Sequence, residues 1–211
     1  DGGSSFDADL LTGIDLGVGL QISSSSTVDV ERIVLHDAGV GVSQSGVATV
    51  DINSIEFSGK NGIGIDWSGA SGAQISNLTV DPQSTLGTIL HSVNLGSGSL
   101  HGVSSIGSSD ENTAFYLDVS GTLDLQDVHA ENYTDGIVAR GSGNIDLTAV
   151  DLDVSSRLID AVGEISIHAS QSNWTTESQG AILGNDYSNL SAITISGTSS
   201  AYSAIEMITG T

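Results

Sequence analysis

Cysteine is absent from the 211-residue sequence, which removes disulfides, thiolate nucleophiles and cysteine-based metal sites from consideration. Proline occurs once and aromatic residues make up only 4 % of the chain. A helical or α/β enzyme core needs bulky side chains at helical spacing, so this composition points instead to many short strands joined by tight turns. Basic residues are nearly missing as well: Arg32, Lys60, Arg140 and Arg157 stand against 26 Asp and Glu, a formal charge of -22. Nucleic acid is thereby excluded as a partner, because a phosphate backbone is held by a basic stripe that releases counterions. An anionic membrane surface is disfavoured on the same ground. No apolar run approaches the ~20 residues that cross a bilayer, so no membrane insertion is expected, and Asp1 to Ser5 do not read as a signal peptide.

What is present is 27 glycines, abundant Ser and Thr, and 38 % hydrophobic residues. A disordered chain is poor in aliphatic and β-branched residues, whereas here they recur in ordered alternation. So large a negative charge destabilises a compact chain by self-repulsion unless cations are plentiful. That condition suits a halophilic or marine setting, with a calcium-loaded surface as the competing explanation, and points to an extracellular or cell-surface location. Four Asn-x-Ser/Thr sequons, at Asn77, Asn132, Asn173 and Asn189, are candidate glycosylation sites of a surface glycoprotein, although such triplets also arise by chance in a Ser/Thr-rich chain.

A repeat organises the sequence. An apolar residue, a polar residue and another apolar residue are followed by two spacers and a second alternating pair. Val28-Asp29-Val30 with Ile33 and Leu35 recurs as Val50-Asp51-Ile52 with Ile55 and Phe57, and as Ala73-Gln74-Ile75 with Leu78 and Val80. It returns as Leu123-Asp124-Leu125 and Ile145-Asp146-Leu147, with a weaker copy at Gly98-Ser99-Leu100. A third strand follows, usually announced by glycine, as in Gly39-Val40-Gly41-Val42 and Gly62-Ile63-Gly64-Ile65. About nine occurrences spaced about 22 to 27 residues apart signal a solenoid. Period-two alternation puts one side chain of each pair inside and one outside, and a two-residue gap suffices for a corner. An antiparallel sandwich would place its turns every 8 to 12 residues or so and does not explain the longer period.

The repeat resembles that of the right-handed parallel β-helix superfamily, the pectin-lyase-like group with its surface relatives, over nearly the whole chain. The resemblance implies an all-β solenoid of about nine coils with three short strands per coil, a single domain over residues 1–211. Stacking at ~4.8 Å per coil makes a rod roughly 40 Å long. Residues 1–12 are a candidate N-terminal cap, built on Phe6 to Leu11, while Ala204 to Ile208 still read as strand and leave the last coil without a cap. Either a longer chain continues past it or another molecule packs there, and head-to-tail packing of that kind gives a filament.

Many members of that superfamily cut acidic polysaccharides. The pectin-hydrolase strings Asn-Thr-Asp, Gly-Asp-Asp, Gly-His-Gly and Arg-Ile-Lys have as nearest counterparts Asn112-Thr113-Ala114, Gly184-Asn185-Asp186, Leu100-His101-Gly102 and Arg32-Ile33-Val34, each missing a functional member. The lyase members use a basic residue in a Pro-containing Arg motif, and no such motif surrounds Arg32, Arg140 or Arg157. The five histidines show no metal-ligand spacing. Trp67 and Trp174 lie far apart in the repeat, as packing residues do rather than a sugar platform.

Asp29, Asp51, Asp124 and Asp146 share one outward position, Glu56, His129 and Asp151 a second, and Glu131 and Asp153 lie close by. Carboxylates on neighbouring coils at ~4.8 Å repel by about 1 kcal/mol in water. Asp29, Asp51, Asp124, Asp146, Asp151 and Asp153 are therefore candidate ligands of a cation ladder in which Ca2+ or another cation bridges coils, the simpler alternative being an acidic face screened by salt. No cofactor is required. The expected function is a non-catalytic structural or adhesive module that self-associates through its coil ends; the alternative is a carbohydrate-binding or polysaccharide-degrading β-helix.

Overall fold

The apolar residues of the repeat recur at every second position, and only a coil that turns the same positions inward on every circuit can bury them all. The computed structural model describes residues 5–23, 27–108, 112–183, 188–197 and 204–207. Among them there is no helix, and the strands form a parallel β-solenoid. Nine rungs follow one another, over residues 5–22, 27–45, 49–68, 71–95, 97–119, 122–141, 144–161, 166–183 and 189–207, so that the chain makes about eight full turns from first rung to last. Each rung contributes to three faces. On the first, Val28 pairs with Val50; on the second, Ile33 with Ile55; on the third, Val40 with Ile63.

The inward columns are apolar ladders. Val30, Ile52, Ile75, Leu100, Leu125 and Leu147 stack through successive rungs, all at most 1 % exposed. Each buried aliphatic side chain contributes about 1.5–3 kcal/mol relative to exposure, and every rung shares its ladder contacts with two neighbours. One inward column departs from this pattern. Ala73 and Gly98 occupy positions taken by Val50 below and Leu123 above, and the fully buried Trp67 fills the space they leave: a Cβ on Gly98 would lie 2.9 Å from Trp67 Cζ3. That explains why this copy of the repeat is weak in sequence.

Corners have their own backbone signature. Between the first and second faces Asn77, Gly102, Asp127, Ala149, Gln171 and Ala192 all sit at φ between 52° and 64°, one per rung. A single left-handed residue turns the chain there while both flanking strands stay in register. The glycines that announce the third face answer to sterics. A Cβ on Gly39 would come 2.8 Å from Gly17 O and one on Gly87 2.7 Å from Gly62 O, so Gly17, Gly39, Gly62 and Gly87 form a ladder of close backbone approach.

Of residues 1–12, the candidate cap, Ser5–Ala8 and the start of the strand Leu11–Ile14 pair with Thr27–Val30 and Ile33–His36 as part of the first rung. Strands expected to be separate fuse in the middle of the rod, where Thr113–Tyr133 is one continuous element that bends around corners, its register shifting after Val119 and at Asn132.

Candidate functional site

Outward positions of the ladders carry the chemistry. On the first face one column runs Asp7, Asp29, Asp51, Gln74, Ser99, Asp124, Asp146, His168 and Asn189. The sequence pattern placed four of these aspartates together; Asp7 joins them because Ser5–Ala8 pairs in register with Thr27–Val30. On the second face Glu56, Thr79, Ser104, His129 and Asp151 share a column, and Glu131 pairs with Asp153 beside it. Arg32 reaches across to Glu56 with two hydrogen bonds, Nε to Oε1 at 2.8 Å and Nη2 to Oε2 at 2.7 Å. Asp151 is engaged too, its Oδ1 accepting from Asn173 N at 2.9 Å and Nδ2 at 3.1 Å. Each column thus supplies at most one carboxylate per rung and none on the fourth and fifth rungs, and among the described residues no group of three or more His, Asp or Glu side chains converges to hold a metal ion.

Around Asp153 the surface dips into an open cleft of about 380 Å³ lined by Glu131, Asn132, Asp153, Ser155 and Glu177. Tyr133, 1 % exposed, borders it and holds Ser105 Oγ at 2.6 Å. Burial pushes the Tyr133 phenol well above its ordinary range, the Ser105 hydrogen bond opposing that only in part.

The third face holds a cluster that the sequence does not announce. Asp66, His91 and Tyr116 stack on successive rungs. His91 Nδ1 lies 2.8 Å from Asp66 Oδ1, and its ring stacks on Tyr116 with centroids 5.5 Å apart and planes 27° from parallel. Thr88, Asn112, Thr113 and Ile63 complete a shallow cleft of about 260 Å³ beside them. Farther along, Arg157 binds Asp135 through both Nε and Nη2 and reaches Asp160 at 2.8 Å, and Arg140 meets the same carboxylate at 3.3 Å. The Asp135 hydrogen bond is the main reason the Arg157 guanidinium holds its proton more tightly than usual. Asp160 is 7 % exposed, so two cations compensate its removal from water.

Every histidine has a carboxylate neighbour: His36 with Asp37 at 3.2 Å, His91 with Asp66, His101 with Asp124 at 3.4 Å, His129 with Glu131 at 3.6 Å, and His168 on the rung next to Asp146. Both tryptophans are fully buried. The sequons are on the surface, with Asn77, Asn132, Asn173 and Asn189 all exposed. Asn77 and Asn132 sit at left-handed corners, their Nδ2 groups donating to Asn53 O and Gly107 O. Of the strings compared with the pectin hydrolases, Arg32 stands on the second face of the second rung, His101 at a corner of the fifth and Asn112 on its third face, while Gly184 to Asp186 lie outside the described residues. The described members do not converge. Comparisons with protein-family models, with curated proteins and with solved structures returned no match.

Proposed function

We propose that this chain is a non-catalytic structural and adhesive module of an extracellular or cell-surface protein, a surface branch of the pectin-lyase-like β-helix architecture, which associates end to end into a filament, sheath or layer. The observation that carries the reading is the contrast between its sides and its first rung. The sides present carboxylate ladders, and a net charge of -22 makes lateral contact between two such rods repulsive. The first rung presents Phe6 and Val18, in register with Val28 and Val40, at 43 % and 39 % exposure, together with strand edges that among the described residues pair on one side only. Apolar surface beside backbone donors and acceptors of this kind is what a rung of a second copy covers. In this reading Asp29 with Asp51 and Asp124 with Asp146 attract Ca2+ or other cations as screening or bridging ions, and the four sequons carry glycans on the outer surface.

Sedimentation velocity across a concentration series tests it. Mass-action growth of rods in molar salt, abolished by Phe6→Asp with circular dichroism unchanged, is expected. A monomer at all concentrations and salts contradicts end-to-end association.

A second reading, a carbohydrate-binding or carbohydrate-active rod, is favoured by one observation: Asp66, His91 and Tyr116 bring a carboxylate, an imidazole and an aromatic ring together on adjacent rungs beside a cleft with Thr88, Asn112 and Thr113. Binding of neutral oligosaccharides, or their cleavage, lost in His91→Ala with assembly unaffected, is the outcome that this reading requires.

A further inference from the structure

Inside the rod one column breaks the apolar rule. Gln44, Trp67 and Ser92 stack on the second, third and fourth rungs, paired in register, and all three are fully buried. Gln44 Nε2 donates to Ala48 O at 3.0 Å, which fixes the amide. Gln44 Oε1, an acceptor, and Trp67 Nε1, a donor, have no hydrogen-bond partner among the described residues. They do not hydrogen-bond to one another. Ser92 Oγ accepts from Asp118 N at 3.2 Å and has its own proton to give. Trp174 behaves otherwise, its Nε1 donating to Val150 O at 3.0 Å.

A buried donor and a buried acceptor left unpaired each cost about 1–3 kcal/mol, and nothing on this column relieves either. Exchanging the amide oxygen and nitrogen does not help, because it sets an oxygen against Ala48 O and loses that bond. We infer that the solenoid encloses a resident water molecule between these rungs, which accepts the Trp67 Nε1 proton, donates to Gln44 Oε1 and accepts from the Ser92 hydroxyl. Three partners are what a buried water ordinarily makes. The water is then a structural ligand of the fold, trapped when the third and fourth rungs close over the second, and it is independent of what the rod's surface binds.

Two measurements on the intact chain test this. A high-resolution crystal structure should show solvent density within about 3 Å of both Trp67 Nε1 and Gln44 Oε1. Water-selective NMR should show a cross-peak from the Trp67 indole proton to a long-lived water, with none from Trp174, the two being assigned with Trp174→Phe. In folded Gln44→Leu the Trp67 cross-peak should fall at least several-fold. A direct Trp67 to Gln44 hydrogen bond without density, no cross-peak in the parent protein, or an undiminished cross-peak in Gln44→Leu overturns the inference.

Discussion

Replacing Gly98 with valine probes the packing at the middle of the rod. A Cβ there would meet Trp67 Cζ3 at 2.9 Å and Cη2 at 3.2 Å, closer than carbon atoms tolerate. The indole is fully buried and has no free direction in which to retreat. Overpacking of this kind costs about 1–3 kcal/mol. Trp67→Leu alone removes much of the ring and should cost about 3 kcal/mol as a cavity. Together the two changes restore the arrangement of the neighbouring rungs, where an aliphatic side chain such as Leu123 or Val50 fills its own level. The double variant should therefore lose at least about 1 kcal/mol less than the sum of the single losses. Urea midpoints at constant m value give all four free energies. Losses that add to within about 0.5 kcal/mol would mean that Trp67 and Gly98 do not share space, and the explanation of the weak repeat would fail.

Further predictions concern corners, burial and pH. Ala149 sits at φ 53°, a conformation that disfavours residues with a Cβ by about 1–2 kcal/mol. Ala149→Gly should raise the urea midpoint, by about 0.5–1 kcal/mol after the flexibility of glycine in the unfolded chain is set against it. Tyr133 has a folded pKa raised above its unfolded value, so its stabilisation is complete below about pH 10 and is lost as pH climbs through the unfolded and then the folded value. Thermal melts between about pH 9 and 11.5 should fall for the parent chain and fall less steeply for Tyr133→Phe, which starts lower because Ser105 loses its partner. Ile145→Asp puts a charge at a position that is 0 % exposed, and by several kcal/mol it should unfold the chain near neutral pH, seen as loss of the strand signal in circular dichroism.

Much of the fold was legible because stacking makes one rule repeat. Val28, Val50, Leu123 and Ile145 announce the inward column and Asp29, Asp51, Asp124 and Asp146 the outward one, since the pleat alternates with period two regardless of what lies on the next rung. Departures from the rule were not legible. Gly98 reads as a lapse until Trp67, more than a rung away in sequence, is seen to fill its place. Asp66, His91 and Tyr116 escaped notice because they are three different residue types set 25 residues apart, whereas Asp29 and Asp51, or Asp124 and Asp146, repeat one type at a spacing of 22. Ala149, Gln171 and Ala192 carry no sign of the left-handed turn they make, which Asn77 and Gly102 do suggest by residue type. Surface chemistry was harder still, because the repeat constrains only the inward half of each strand.

End-to-end assembly is the central functional claim, and negative-stain microscopy of the purified chain at low salt, at molar salt and with millimolar calcium tests it most directly. Rods that lengthen in steps of roughly 40 Å once the acidic sides are screened are the predicted result. Dispersed single rods of that one length under all three conditions would contradict it.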